Sequence, residues 1–268
     1  MKLAAIQMVS AARVEANLAA AHALLREAAA QGAELAVLPE YFCIMGLKDT
    51  DKLALREPFG DGPIQDFLSR SAQELGLWIV GGTLPLATSE PGLVRNSCLA
   101  FAPTGVCVAR YDKMHLFRFT DGRVAYDETR VLQPGTDPVS FELASSDGHR
   151  YKVGMSVCYD LRFPELYRAL NADLLLVPSA FTTTTGQAHW EVLLRARAIE
   201  NQAYVVAAAQ GGMHENGRRT WGHSMVVNAW GQVVGQLDEG AGLVLAEVSY
   251  ADLQATRERL PALAHRIL

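Results

Sequence analysis

The sequence predicts an α/β fold on three observations. Short apolar runs bounded by turn residues alternate with longer stretches of helical period. Half of the 268 residues are apolar and a fifth are charged, enough to bury a sizeable core. No linker, low-complexity tract or repeat period interrupts the alternation, so residues 1–268 are expected to form one domain.

Residues 3–9 read as the first strand. Val14, Leu18, Ala21, Leu25 and Ala28 then recur at helical spacing, and Gly32 can end that helix. Residues 34–38 form a buried strand closed by Pro39 and Glu40. Pro63 sits where a helix best accepts a proline; Ile64, Phe67, Leu68 and Leu75 mark one face, and Gly76 ends the helix before a strand at 78–80. Strands are expected around 97–102 and 106–113, joined by Pro103, Thr104 and Gly105. A long irregular segment follows to about residue 137, of the kind that often carries function. A hairpin at 145–148 leads into a strand ending at Cys158, then a helix from Pro164 and a strand at 174–177. Residues 190–202 read as helix and 204–209 as strand. Residues 225–227 and 232–234 form a second hairpin, and a strand at 243–248 and a helix at 251–260 complete the order.

Two strands, LAVLPE at 35–40 and LLLVPSA at 174–180, resemble each other, and only the first carries an acid. A glutamate in that position is most often a solvated loop carboxylate. Strand ends are also where α/β proteins place their sites.

Composition narrows the function classes. The net charge is -5 and no stripe of lysines and arginines is present, which argues against nucleic acid. Residues 1–7 turn polar too soon for a signal peptide, and no later apolar run approaches the ~20 residues of a membrane span, so a soluble, cytoplasmic protein is expected. Cys43, Cys98, Cys107 and Cys158 lie far apart with neither CxxC nor Cys/His spacing, and the histidines form no HExxH or HxH pattern. No metal and no other cofactor is expected.

The stretch GMSVCYDLRFPEL at 154–166 places Cys158 where an apolar run meets a charged one. A free cysteine is usually a small buried hydrophobe. As a nucleophile it would need a base or a lowered pKa, and a strand-to-helix junction offers unpaired N–H groups that favour a thiolate and can hold an oxyanion. In YDKMHLF at 111–117, an extended backbone puts Lys113 on one face with Tyr111 and His115, and Asp112 with Met114 on the other. Alone, Lys113 reads as a solvated lysine.

Taken in this order, LPE, YDKMHLF and SVCYDLRFPEL resemble the nitrilase superfamily of carbon–nitrogen hydrolases. AIQM near the start and WGHSMVVNAWG near the end extend the likeness over nearly the whole chain. The resemblance implies a four-layer α-β-β-α sandwich, a homodimer or higher homo-oligomer joined through helices with residues 261–268 reaching the partner, and a small-molecule amide substrate. It also implies a Glu-Lys-Cys triad: Glu40 as general base, Lys113 as cationic stabiliser and Cys158 as nucleophile, with the Tyr159 backbone N–H supporting the oxyanion. Glu128 of DETRVLQPG stands where the family often has a second glutamate, with an orienting role; its plainer reading is a loop acid beside Arg130. Residues 118–123 depart from the aspartate that commonly follows HLF in the family, and residues 167–171 precede Ala172 in a segment shorter than usual.

Residues 178–210, PSAFTTTTGQAHWEVLLRARAIENQAYVVAAAQ, with the histidine-containing loop 211–217, resemble the branch acting on the side-chain amide of deaminated glutathione. The ω-amidases, which act on 2-oxoglutaramate, share the TGxAHWE part. The implied activity is a thiol-dependent amidase releasing ammonia through a cysteine thioester.

A carboxylate-rich substrate needs cations or backbone donors, for which Arg162, Arg195 and Arg197 are candidates, and Thr184 in the threonine run offers a hydroxyl. Arg195 lies four residues after Glu191 and can equally form a surface pair, worth about 0.3–0.5 kcal/mol. Three other readings compete: a Cys-His hydrolase with His189 or His223 as base, a non-catalytic binding or regulatory protein, and a redox sensor at Cys158, for which no resolving cysteine is evident.

Overall fold

The computed structural model describes every residue except Asp121, Arg123, Val124 and Leu268, so the departure read at 118–123 and the end of the 261–268 tail lie partly outside the described residues. Its two large sheets share one topology. In the first, Lys2–Gln7, Leu35–Val37 and Trp78–Val80 run parallel at the centre. Gly242–Glu247 pairs antiparallel on one side and Val94–Phe101 on the other, and the latter also pairs with Leu84–Ala87 and Cys107–Asp112. In the second sheet the parallel trio is Arg150–Met155, Leu174–Leu176 and Tyr204–Ala207. Ser140–Ala144 flanks it on one side, and Met225–Val227 followed by Val233–Gln236 on the other, all antiparallel.

This duplication explains the likeness of LAVLPE and LLLVPSA. Each is the middle strand of its trio, and each continues by one N–H donated to the neighbouring strand: Leu38 to the Val80 carbonyl at 2.9 Å, Val177 to the Val206 carbonyl at 2.9 Å.

Strand alternation sorts side chains between layers. Leu3, Ala5, Leu35, Val37, Cys98 and Ala100 join the core shared with the second sheet, whereas Ala4, Ile6, Ala36, Leu38, Leu99 and Phe101 pack under the helices Val14–Ala30 and Pro63–Leu75. Helices Pro164–Leu170 and Thr183–Asn201 cover the second sheet with Leu166, Tyr167, Trp190, Leu194 and Ala198. The result is the expected α-β-β-α sandwich. No helix among the described residues is long and apolar enough to cross a membrane.

Several elements differ from the sequence expectation. The strand before Cys158 ends at Met155, and Cys158–Arg162 forms a tight 3₁₀ turn instead. The helix expected at 190–202 begins at Thr183 instead, because the Thr182 hydroxyl caps it by accepting the Thr185 N–H at 3.3 Å. Four consecutive threonines and a glycine have poor helix propensity, which hid this start. Leu84–Ala87 was hidden by Pro85, which is tolerated because the strand lies on a sheet edge. The segment read as irregular contains a hairpin of Arg118–Thr120 with Ala125–Asp127, then the 3₁₀ turn Glu128–Arg130, and Gly211–Met213 pairs with Arg219–Trp221 in a further hairpin. After Leu170 the helix stops because Asn171 adopts a left-handed φ of +46°, and Asp173 is then held by Arg257 at 2.7 Å. The helix Pro164–Leu170 is accordingly only seven residues long.

Two glycines let loops lie directly on the backbone beside Glu40 and Lys113. Gly82, at φ +52°, would bring an added Cβ within 2.0 Å of the Pro39 carbonyl oxygen. At Gly135 the same atom would come within 2.1 Å of the Asp112 carbonyl oxygen, while its N–H donates to the Lys113 carbonyl at 2.9 Å. Gly135→Ala must therefore move the end of the Lys113 strand. Overpacking of this kind costs about 1–3 kcal/mol, and turnover should fall with it; denaturant midpoints and kcat check this, and unaltered values in both would mean that the loop does not brace Lys113.

Candidate active site

Four chain segments converge on one buried cluster. Glu40 follows the strand Leu35–Val37 and is 1% exposed. Its Oε1 accepts hydrogen bonds from Lys113 Nζ and Asn96 Nδ2, both at 2.9 Å. Lys113 comes directly after the strand Cys107–Asp112 and is equally buried. Its ammonium also donates to both oxygens of Glu128, at 3.0 and 2.8 Å. Glu128 opens the 3₁₀ turn Glu128–Arg130 and further accepts the Tyr41 hydroxyl at 2.8 Å and the Phe117 N–H at 2.7 Å. It is thus part of the cluster; Arg130 lies instead against Asp127, at 4.0 Å.

Cys158 takes a left-handed φ of +52°, a conformation that costs a non-glycine residue on the order of 1–3 kcal/mol and turns the thiol out of the sheet. Its N–H is tied to the Pro178 carbonyl at 2.9 Å, and its thiol meets the Glu40 carboxylate and the Ala180 N–H. Asp160, fully buried, fastens this turn to the Lys113 segment. It accepts the Val157 N–H at 2.8 Å, the Tyr111 hydroxyl at 2.7 Å and the His115 N–H at 3.1 Å. The His115 ring stacks on Phe163 with centroids 3.6 Å apart.

Two carboxylates therefore share one ammonium in a dry site. Burial alone would pull the Lys113 pKa down, but Glu128 and then Glu40 outweigh it and hold the lysine well above its usual range. Burial alone would raise Glu128, yet the Lys113 ammonium and the Phe117 N–H keep it below the ordinary glutamate value. Glu40 ends up raised: burial dominates, Lys113 offsets it only in part, and the charge of Glu128 pushes the same way as burial. Burial and the neighbouring Glu40 charge also push the Cys158 thiol well up. The thiolate-favouring junction expected from the sequence is thus corrected: the Cys158 N–H is spent on Pro178, a carboxylate faces the sulfur, and the resting thiol is protonated. A base must act on it.

Cys158, Glu40 and Glu128 lie on the wall of a cleft of about 760 Å³, including its open mouth. Tyr159 and Arg162 line it as well. The Arg162 guanidinium lies over the rings of Phe181 at 5.6 Å and Tyr159 at 5.8 Å, and its Nη1 is 3.3 Å from His189 Nδ1.

Other sequence candidates fall elsewhere. Thr184 is exposed and absent from the cleft wall; at helical spacing its neighbours Thr182 and Thr185 face inward in its place. Arg195 pairs with Glu191 at 3.3 Å and donates to the Gly231 carbonyl, while Arg197 is buried against the Leu161 carbonyl and Glu200. Neither reaches the cleft. His189 and His223 are not among the cleft residues; His223 stacks on Trp221 and bonds its carbonyl, as scaffold.

The sequence reading missed Asn96, Tyr41 and Gln210, whose Nε2 donates to the Glu40 carbonyl at 3.1 Å. It also missed Lys52, Arg218 and Arg219 on the cleft wall. Asn96 had a signal, a carboxamide inside a mainly apolar strand; Lys52 lies in the single helical turn Asp51–Ala54 and Arg218 in a hairpin turn, both too short for periodicity to report.

The carbon-nitrogen hydrolase family model matches residues 2–258. The chain is 40% identical to a deaminated glutathione amidase of Synechocystis sp., over 98% of this chain and 97% of that protein. It is 35% identical to the human omega-amidase, over 97% of this chain and 92% of that protein. Among solved structures, the NitFhit protein of C. elegans superposes with a TM-score of 0.90 at 37% identity, covering 99% of this chain; the chain spans 65% of that protein.

With Glu40 as proton acceptor, kcat/KM should fall as pH drops through its raised pKa, so the acid limb lies above the ordinary glutamate value of about 4.3. Glu128→Gln removes a negative charge that raises Glu40, so its pKa drops and the limb moves to lower pH. Rate profiles of the two proteins check this; a limb that stays in place would exclude Glu40 as the titrating base.

Proposed function

The chain belongs to the carbon–nitrogen hydrolase family, and on that premise we propose that Cys158, Glu40 and Lys113 are its nucleophile, general base and cationic stabiliser. The observation that carries this reading is the cluster itself: a neutral thiol beside a carboxylate of raised pKa that is hydrogen-bonded to a fixed ammonium. The protein is a hydrolase of carbon–nitrogen bonds other than peptide bonds.

The steps we propose use the groups of this cluster. Glu40 takes the proton as the Cys158 sulfur bonds to the amide carbon. The oxygen that becomes negative is held by the Lys113 ammonium and the Tyr159 N–H. Glu40 then returns its proton to the amide nitrogen, the C–N bond breaks and the amine leaves a thioester. Water, losing a proton to Glu40, attacks the same carbon; the carboxylic product departs and the sulfur regains its proton. Glu128 fixes Lys113 and does not itself transfer a proton.

For the substrate we infer deaminated glutathione, with 2-oxoglutaramate as the second reading. The relatives bearing the first name match at higher identity than the omega-amidase. Arg162, stacked between two rings at the cleft wall, supplies a cation for the carboxylate of the acyl half. Ammonia leaves from a primary amide such as 2-oxoglutaramate; from the γ-amide of deaminated glutathione the leaving amine is that of cysteinylglycine. Both yield 2-oxoglutarate. We further infer a homodimer, supported by Val192, Ile199 and Trp230, which remain exposed on and beside the outer helix Thr183–Asn201. A cytoplasmic setting suits four free thiols.

2-Oxoglutarate formation from the two amides, measured side by side, tests the assignment: higher kcat/KM on deaminated glutathione is expected, and the reverse order would make the protein an ω-amidase. Cys158→Ser and Glu40→Gln should each abolish formation to at least 10³-fold below wild type. Substantial activity in Glu40→Gln would return the base to a histidine.

A further inference from the structure

Among the described residues, four cations line the cleft: Lys52, Arg162, Arg218 and Arg219. Arg219 grips Glu239 through two hydrogen bonds of 3.1 and 2.9 Å. Arg218 pairs with Asp49 at 3.1 Å and lies over the Tyr126 ring. Arg162 is held by two rings and His189.

Lys52 differs. It is only 8% exposed, yet among the described residues its ammonium makes no hydrogen bond and no ion pair. Its ammonium lies over the face of the Tyr41 ring, 4.7 Å from the centroid. The acids whose charge it feels most, Glu128 and Asp49, are committed to Lys113 and Arg218. A buried cation without a partner is costly, and burial accordingly pulls the Lys52 pKa down. A lysine kept in this state on a binding-cleft wall is matched to an anion that arrives with the ligand.

Its position says which part of the ligand carries that anion. Tyr41 lies beneath the Lys52 ammonium and donates to Glu128 at 2.8 Å, so Lys52 belongs to the wall that holds Glu40 and Glu128. Glu40 is where the departing nitrogen receives its proton. Arg162 lines the cleft with a different group, over the rings of Tyr159 and Phe181. We propose that Lys52 binds a carboxylate carried on the amine half of the amide, and so selects substrates with an anionic leaving group over those that release ammonia. The inference rests on the amidase reading above and assigns the specificity of that same site.

The test compares deaminated glutathione with its C-terminal carboxamide, identical except that the carboxylate on the amine half is neutral, by 2-oxoglutarate formation. Wild type should favour the free carboxylate in kcat/KM by about 10- to 100-fold, mainly through KM, as expected for one charge-assisted hydrogen bond. Lys52→Met should erase the preference and Lys52→Arg should retain most of it. A preference that survives in Lys52→Met, or that is missing in wild type, overturns the proposal. The wild-type comparison decides even if the methionine variant does not fold. Equal turnover of both amides leaves the amidase reading standing and removes Lys52 from it; no 2-oxoglutarate from either sinks the substrate reading and this inference together.

Discussion

The Lys113 ammonium is the contact on which the site depends. It lies within 2.8–3.0 Å of oxygens from Glu40 and Glu128, which come from segments far apart in the chain. Replacing it with a neutral group would leave two carboxylates buried side by side, which on general grounds costs about 3–5 kcal/mol. Because the ion pair is fully desolvated, its worth lies less in stability than in fixing positions and charges. Glu128 keeps the ammonium charged, and the ammonium offsets part of the upward push that burial gives Glu40.

The two sheets divide the work unequally although their topology is the same. In the first trio the middle strand ends in Glu40; in the second its counterpart ends in Ser179, a buried residue bonded to its own backbone. Cys158 comes from the second sheet, after the first strand of its trio, where the first sheet offers Ser10. Glu40 and Cys158 therefore meet only when the sheets are packed face to face. Asp160 makes that meeting specific, because it ties the Cys158 turn in one half to Tyr111 and His115 in the other.

Much of this could be read from the sequence where the pattern is local. The strand from Leu3, the helix that stops just before Gly32 and the strand ending at Val37 follow in the expected order, Pro63 and Gly76 bracket a helix, and Trp78 to Val80 forms a strand as expected. Glu40, Lys113, Glu128, Cys158, Tyr159 and Arg162 were candidates because ordered motifs carry them, and the structure gathers them around one cleft. What escaped depends on the third dimension. Lys113 looks like any solvated lysine until its two carboxylates are in place. Thr184 shares its composition with Thr182 and Thr185, and only the helix start decides which of them turn inward. Gly135 is silent in sequence, since its role is to lack an atom where Asp112 needs room.

The protonated state of Cys158 has a consequence for how the protein endures its surroundings. Peroxides, alkylating metabolites and heavy-metal ions react with thiolates far faster than with thiols. A buried sulfur whose pKa is pushed up offers such reagents little anion to attack. The same burial that makes the thiol a poor acid thus also shelters the sulfur from electrophilic and oxidative damage.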